Sequence, residues 1–204
     1  MDFHSKPRTA VFGGSFDPIH LGHLILARDV LEQTDVDRIL FMPAYQAPLR
    51  KLKPLASAQD RLDLIRASIS HEPFFEVSEF ELQAKGTSYT VDTIEALLAK
   101  SAPNSFSLII GADQLARLPK WYNVEKLVKM VEFICLDRPG FPLAAPSVLD
   151  NLRWRSIKAR QMDISSSEIR ERFHDGRSVR NLIPEPALAL AIERNLYTPE
   201  NSTN

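Results

Sequence analysis

Cysteine is nearly absent from this sequence: Cys135 is the only one, so no disulfide bond can form within the chain. Cys135 lies inside the apolar run 131–136, and we expect a buried small hydrophobic residue rather than a reactive thiol. No uninterrupted apolar stretch approaches the roughly 20 residues that span a bilayer. The start of the chain, MDFHSKPRTA, lacks the basic and apolar regions of a signal peptide. We therefore expect a cytoplasmic protein with no membrane partner.

An excess of charge of one sign is also lacking. The chain has 25 Lys and Arg residues against 26 Asp and Glu residues, for a formal net charge of -1. A protein whose main task is to coat nucleic acid carries a basic excess, so no nucleic-acid partner is expected. The 204 residues show no internal repeat, low-complexity tract or linker. We predict a single domain over residues 1–204, ending in a C-terminal helical segment at about 163–197.

Short apolar runs alternate with helical patterns along the chain. This alternation is typical of βαβ units, and it predicts an α/β fold with a single doubly wound, mostly parallel sheet and helices on both faces. The predicted strands are 9–12, 38–42, 74–77, 107–110, 131–136 and 157–162. The first predicted helix carries Leu21, Leu24, Ala27 and Leu31 at helical spacing. The other predicted helices are 57–69, 91–100, 123–130, 166–174 and 185–195.

The segment GGSFDPIHLGHL, residues 13–24, joins the first predicted strand to the first helix. Glycines let backbone N–H groups approach phosphate oxygens closely, and a helix N-terminus adds unpaired donors. Two histidines three residues apart on one helical face can donate two more hydrogen bonds. The segment therefore predicts a polyphosphate site formed by Gly13, Gly14, Ser15, Phe16, His20 and His23.

The two histidines have an alternative interpretation as ligands of a metal ion. A metal site needs at least a third ligand. The other candidates, His4, His71, His174 and Cys135, show no supporting spacing. We therefore predict no protein-held metal.

Near the other end of the chain, ISSSEIR (residues 164–170) has the pattern of a helix start. Ser165 or Ser166 is the predicted N-cap, with Glu168 near the third helical position. One interpretation is an ordinary capped helix. The other is a second anion site, in which serine hydroxyls, free N–H groups and the forked Arg170 guanidinium hold a phosphate. The candidate residues are Ser165, Ser166, Ser167 and Arg170.

Four segments directly follow predicted strands: the GGSF turn, Gly111 to Asp113, Arg138 to Gly140, and ISSSEIR. In open α/β sheets, ligands bind outside the carboxyl ends of the strands, at the point where the strand order reverses. All four segments are therefore candidates to line one cleft.

GGSFDPIHLGHL together with ISSSEIR resembles the nucleotidyltransferase superfamily that carries the HxGH signature. Further segments resemble the bacterial nicotinate-nucleotide adenylyltransferase family within it. They are SYTVDTIEALL (88–98), LIIGADQL (108–115), LPKWY (118–122), LDRPGFP (136–142) and LIPEPALALAIERNLY (182–197), so the resemblance covers nearly the whole chain.

The resemblance implies transfer of the adenylyl group of ATP to nicotinate mononucleotide, giving deamido-NAD and pyrophosphate in NAD biosynthesis. It implies that His20, His23 and Arg170 are catalytic, and that Mg²⁺ arrives with ATP, bound mainly through phosphates and water. It also implies ATP-binding roles for Gly111, Asp113 and Arg138, and acceptor-binding roles for Thr90, Trp121 and Tyr122. The sequence leaves open whether the chain forms a homo-oligomer.

One loop departs from the family pattern. After the second strand the family commonly carries Pro-Pro-His-Lys or a similar run, where this chain has APLRK at 47–51. Leu49 thus replaces the family's histidine. Arg50 or Lys51 supplies a phosphate-facing cation in one interpretation, and in the other the basic loop is simply solvated. Ser15 replaces a more usual threonine and keeps the hydroxyl.

Two functional alternatives stay open at this point. The first is an adenylyltransferase of the same superfamily that acts on nicotinamide mononucleotide or on phosphopantetheine; SYTVDT and PKWY argue against the phosphopantetheine enzyme. The second is a nucleotide-binding regulatory protein that kept the fold without turnover. The intact HxGH and ISSSEIR segments argue against this second alternative.

Overall fold

A computed structural model describes residues 7–48, 53–100, 105–138 and 140–199. The strands are β1 (Arg8–Gly14), β2 (Arg38–Pro43), β3 (Phe75–Val77), β4 (Ser105–Gly111), β5 (Glu132–Leu136) and β6 (Trp154–Ile157). The α-helices are α1 (Leu21–Gln33), α2 (Ala58–Ile69), α3 (Phe80–Ala84), α4 (Thr90–Lys100), α5 (Ala112–Arg117), α6 (Val124–Met130), α7 (Ser166–His174) and α8 (Glu185–Glu193), with a 3₁₀ turn at Leu118–Lys120.

The strands form one parallel sheet in the order β3-β2-β1-β4-β5-β6. The chain places β2 and β3 successively on one side of β1, and then β4, β5 and β6 on the other side. The strand order therefore reverses between β1 and β4. The predicted doubly wound fold is confirmed. Its switch point places the ends of β1 and β4 side by side, at the edge where ligands bind in such sheets.

Hydrophobic side chains cover both faces of the sheet, because successive residues of a strand point to opposite sides. Ala10 packs into a core with residues of α1, α2, α7 and α8, whereas its neighbour Val11 packs into a second core with residues of α4 and α6. Cys135 is fully buried in this second core, as predicted.

The last strand is the element that the sequence prediction misplaced. The strand predicted at 157–162 is Trp154–Ile157, and the following N–H groups do not join the sheet. Carboxylate side chains take the place of a neighbouring strand as hydrogen-bond acceptors there. The bonds run from the Ala159 N–H to Asp137 (2.6 Å) and from the Arg160 N–H to Asp29 (2.8 Å). ISSSEIR therefore does not follow a strand directly.

Two further differences are local. The first strand extends through both glycines, because Gly13 and Gly14 pair with Met42 and Pro43 of β2. The short helices α3 and α5, with 5 and 6 residues, were not predicted because they are too short to show a helical period. Within the described ranges, no helix combines the length and apolar character needed to cross a membrane.

The buried carboxylate of Asp29 generates a stability prediction. Asp29→Ala leaves the Arg160 N–H without its acceptor, so the free energy of unfolding should fall by about 1–3 kcal/mol. Glu32→Ala is the matched control, since Glu32 pairs with the same arginine but is half exposed, and it should change stability by less than about 0.5 kcal/mol. Urea unfolding of both variants checks this, and equal losses would contradict it.

Candidate active site

The turn that follows β1 has a backbone conformation that is unusual for its residues. Phe16 has φ 47°, in the left-handed region that non-glycine residues rarely adopt. Its ring is 2% exposed and contacts the rings of Phe12 and Phe41 at centroid distances of 5.9 and 5.6 Å. A Cβ on Gly14 would lie only 3.0 Å from this ring. The aromatic packing therefore holds the strained turn, and residue 14 must be small.

Side chains from two distant helices bind the carbonyl groups of this turn. One carbonyl is bound from α2 and two are bound from the start of α7. The bonds are Arg61 Nη1 to Ser15 O (2.6 Å), Arg170 Nη1 to Asp17 O (2.7 Å) and Ser166 Oγ to Pro18 O (2.9 Å). The two segments predicted to bind anions, far apart in sequence, thus lie in contact with each other.

The histidine pair occupies the start of α1. His20 is the N-cap, and its N–H donates to Nδ1 of His23 (3.2 Å), so a neutral His23 carries its proton on Nε2. The two rings stack with centroids 3.7 Å apart and planes at 28°. A Cβ on Gly22 would lie 2.9 Å from Nδ1 of His20, so the glycine of the HxGH segment makes room for the first imidazole.

His20 is buried. It is 6% exposed, and its Nδ1 has no hydrogen-bond partner among the described residues. Burial penalises the charged imidazolium and lowers the pKa of His20 to about 4. His20 is therefore a neutral hydrogen-bonding group at neutral pH, not a cation.

The start of α7 presents unpaired donors beside the turn. Ser165 is the N-cap, because its hydroxyl accepts a hydrogen bond from the Glu168 N–H (3.1 Å). Ser166 and Ser167 are then the first two helical residues, whose N–H groups have no partner within a helix. Arg170 also donates to the Ser167 hydroxyl (3.2 Å). A positive helix end and a fixed guanidinium thus lie together.

The predicted adenosine-side residues lie at the end of the neighbouring strand. Gly111 ends β4 and is the N-cap of α5, and Asp113 lies in the first turn of that helix. Asp113 forms an ion pair with the exposed Arg138 at 3.5 Å. Because β4 pairs in parallel with β1, this group is at the same edge of the sheet as the turn that follows β1.

The predicted acceptor residues form a separate group around the start of α4. Thr90 begins the helix, and the preceding Tyr89 ring contacts the ring of Tyr122 at 4.4 Å. Tyr122 is 58% exposed. Trp121 is half-buried against the second core, and its Nε1 has no hydrogen-bond partner in the part of the chain described.

Hydrogen bonds donated by backbone N–H groups connect the segment before Thr90 to the end of β1. The Ala44 N–H donates to Gly14 O (2.9 Å), the Tyr45 N–H to the Ser88 hydroxyl (3.1 Å), and the Ser88 N–H to Gln46 O (3.0 Å). Residues 44–46 therefore bridge β1 and the segment before Thr90. Leu49, Arg50 and Lys51, for which the sequence left two interpretations open, lie outside the described residues.

Sequence reasoning missed the buried polar groups beneath the turn. Arg61 is 1% exposed, and Asp17, whose carboxylate accepts the N–H groups of Leu55 and Ala56, is 4% exposed. A usable signal was present for Arg61. It precedes Leu64 and Ile65 by three and four residues, which places an arginine on the apolar face of α2.

A metal cage is not evident beside these groups. Among the residues described, no cluster of three or more His, Cys, Asp or Glu side chains is placed to hold a metal ion.

Comparison with known proteins identifies the class first. A family model described as cytidylyltransferase-like matches residues 11–172. The fold agrees: a solved structure described as Plasmodium falciparum nicotinic acid mononucleotide adenylyltransferase complexed with NaAD superposes with a TM-score of 0.74, at 20% identity, over 94% of this chain and 97% of that one. The chain is therefore a nucleotidyltransferase of the cytidylyltransferase-like class.

The sequence relatives give the particular family. A protein named "Probable nicotinate-nucleotide adenylyltransferase" from Opitutus terrae is 40% identical over 92% of this chain and 96% of its own length. One of the same name from Methylacidiphilum infernorum is 38% identical over 97% and 95%. This chain belongs to the nicotinate-nucleotide adenylyltransferase family, which confirms the resemblance seen in the motifs.

The burial of neutral His20 gives a pH prediction. Between about pH 6.5 and about pH 4 the unfolded chain binds a proton at this histidine that the folded chain does not, so stability should fall as the pH is lowered through this window. Long-range ¹H–¹⁵N spectra should show His20 neutral down to about pH 4, with His23 protonated on Nε2 when neutral. A His20 titration midpoint near the ordinary value would contradict the assignment.

Proposed function

We propose that this chain transfers the adenylyl group of ATP to the 5′-phosphate of nicotinate mononucleotide, producing deamido-NAD and pyrophosphate in NAD biosynthesis. The observation that carries the proposal is the junction of the His20–His23 pair with the start of α7, where Arg170 and Ser166 bind carbonyls of the intervening turn. This junction gathers hydrogen-bond donors on both sides of the space that a triphosphate would occupy.

The reaction requires no covalent participation of the protein. The attacking 5′-phosphate is already ionised at neutral pH, so neither a general base nor a covalent enzyme intermediate is needed. Positioning and stabilisation of developing negative charge then supply most of the acceleration. A neutral His20 suits this task, because it donates a hydrogen bond without being consumed as a proton source.

The donors divide between two parts of the triphosphate. His23, with its proton on Nε2, and His20 face the α-phosphate, where charge develops as the bond to the leaving pyrophosphate breaks. The N–H groups of Ser166 and Ser167, with the Arg170 guanidinium, hold the β- and γ-phosphates. The backbone of Gly13, Gly14, Ser15 and Phe16 binds the phosphate region beside them.

The remaining residues bind the two nucleosides. Gly111, Asp113 and Arg138, at the end of β4 and beyond β5, shape the adenosine pocket. Thr90, Trp121 and Tyr122 bind the acceptor. An indole face attracts a pyridinium ring through cation–π interaction, and backbone N–H groups nearby favour a carboxylate over an amide.

Mg²⁺ enters this proposal with ATP. The ion would be held mainly by phosphate oxygens and water. Bound in that way, Mg²⁺ neutralises phosphate charge and favours departure of pyrophosphate. We further propose that the chain works in the cytoplasm as one domain, on these two substrates and without a nucleic-acid partner.

Steady-state kinetics of pyrophosphate release test the proposal. Wild-type protein with ATP should show a higher kcat/KM for nicotinate mononucleotide than for nicotinamide mononucleotide. His20→Ala should lower kcat about 10²- to 10³-fold, the usual loss for one preorganised donor. His71→Ala is the matched control, since His71 is exposed on a turn and should leave the rate unchanged. Equal or better kcat/KM with the amide would overturn the acceptor assignment, and no turnover with either would overturn the activity.

A further inference from the structure

Arg61 is a buried charged group that the proposed mechanism does not use. It lies in the first turns of α2, is 1% exposed, and its Nε has no hydrogen-bond partner within the described ranges. Burial lowers the pKa of Arg61, while the nearby Asp17 carboxylate opposes that change. A charge this deeply buried is costly unless it is paired, so its position calls for a reason.

The Arg61 guanidinium controls the orientation of one peptide group. Its Nη1 donates to Ser15 O at 2.6 Å. A trans peptide is planar, with its C=O and N–H on opposite sides, so a fixed Ser15 carbonyl also fixes the direction of the Phe16 N–H. Since the Ser15 carbonyl points toward the guanidinium, the Phe16 N–H points away from it. Phe16 is also the residue with the left-handed backbone.

A second set of contacts holds α2 against the same turn. Asp17 Oδ2 and Oδ1 accept the N–H groups of Leu55 (2.8 Å) and Ala56 (3.1 Å), which lie just before α2. Tyr197 closes the cluster from the C-terminal segment. It is 4% exposed, and burial together with the Asp17 charge raises the pKa of its hydroxyl. The Asp17 carboxylate and the Tyr197 hydroxyl thus lie near enough to Arg61 to interact with its charge.

We propose that Arg61 is a positioning residue for adenylyl transfer, which holds the Ser15–Phe16 peptide so that its N–H faces the triphosphate. This inference rests on the proposed function, because it assigns the Phe16 N–H to phosphate binding. Arg61 itself contacts no substrate. Its loss should therefore reduce kcat, while the KM for nicotinate mononucleotide, set by the group around Thr90, stays near the wild-type value.

Three variants test the proposal at a temperature where thermal unfolding curves show each to be folded. Arg61→Met removes the donor and should lower kcat about 10²-fold, the loss typical of a misplaced reacting group. Arg61→Lys keeps the positive charge and a donor nitrogen but loses the planar, two-pronged geometry of the guanidinium. It should lower kcat only about tenfold. Leu64→Ala removes a fully buried side chain from the same helix, and should lower Tm with kcat within about twofold of wild type.

The outcomes separate positioning from simple stabilisation. The graded loss in the arginine variants, with the acceptor KM unchanged and the Leu64 control active, supports the proposal. Arg61 variants whose kcat matches the Leu64 control overturn it. If Arg61→Met does not fold, Arg61→Lys decides: a tenfold lower kcat supports the proposal and an unchanged kcat overturns it. Wild-type protein is assayed alongside, and its failure to release pyrophosphate would instead overturn the proposed function.

Discussion

The turn from Ser15 to Pro18 depends on hydrogen bonds from distant helices, because it cannot satisfy its own carbonyl groups as a helix or a strand does. Arg61 from α2 binds one carbonyl, and Ser166 and Arg170 from α7 bind two more. Each bond constrains the backbone that joins β1 to the histidine pair. The positions of the helices that carry these donors therefore determine the geometry of the turn.

The histidine pair shows how packing sets chemical character. The Gly22 position leaves room for the His20 ring, which is buried, stacked on His23 and neutral. His23 is fixed in one tautomer by the N–H of the residue before α1. In the proposed function, both imidazoles donate hydrogen bonds to the phosphate oxygens on which negative charge develops. Positive charge comes instead from Arg170 and the start of α7.

Much of this arrangement was predictable, because the relevant residues obey local rules. Ser165, one of the two predicted N-cap residues, caps α7, and the alternation of apolar runs with helical patterns predicted the parallel sheet. The last strand was misplaced because side-chain carboxylates, which have no local signature, take over its hydrogen bonding after Ile157.

The residues proposed to face the phosphates could be predicted from the sequence, whereas the buried residues that support them could be predicted less well. The motif identified His20, His23 and Arg170 as candidates, but a motif does not show which carbonyls their neighbours bind. Arg61 and Tyr197 are far from the turn in sequence, so only the three-dimensional packing brings them beneath it. The aromatic packing that fixes Phe16 is likewise a tertiary effect, since nothing in the local sequence requires a left-handed phenylalanine.

In the proposed function, the turn, the histidine pair and the start of α7 form one triphosphate site. A crystal structure of the chain with a non-hydrolysable ATP analogue would show whether they do. We expect the β- and γ-phosphates within hydrogen-bond distance of Arg170 and of the Ser166 and Ser167 N–H groups, with the α-phosphate beside His20 and His23. A nucleotide whose phosphates contact neither the histidines nor the start of α7 would contradict it.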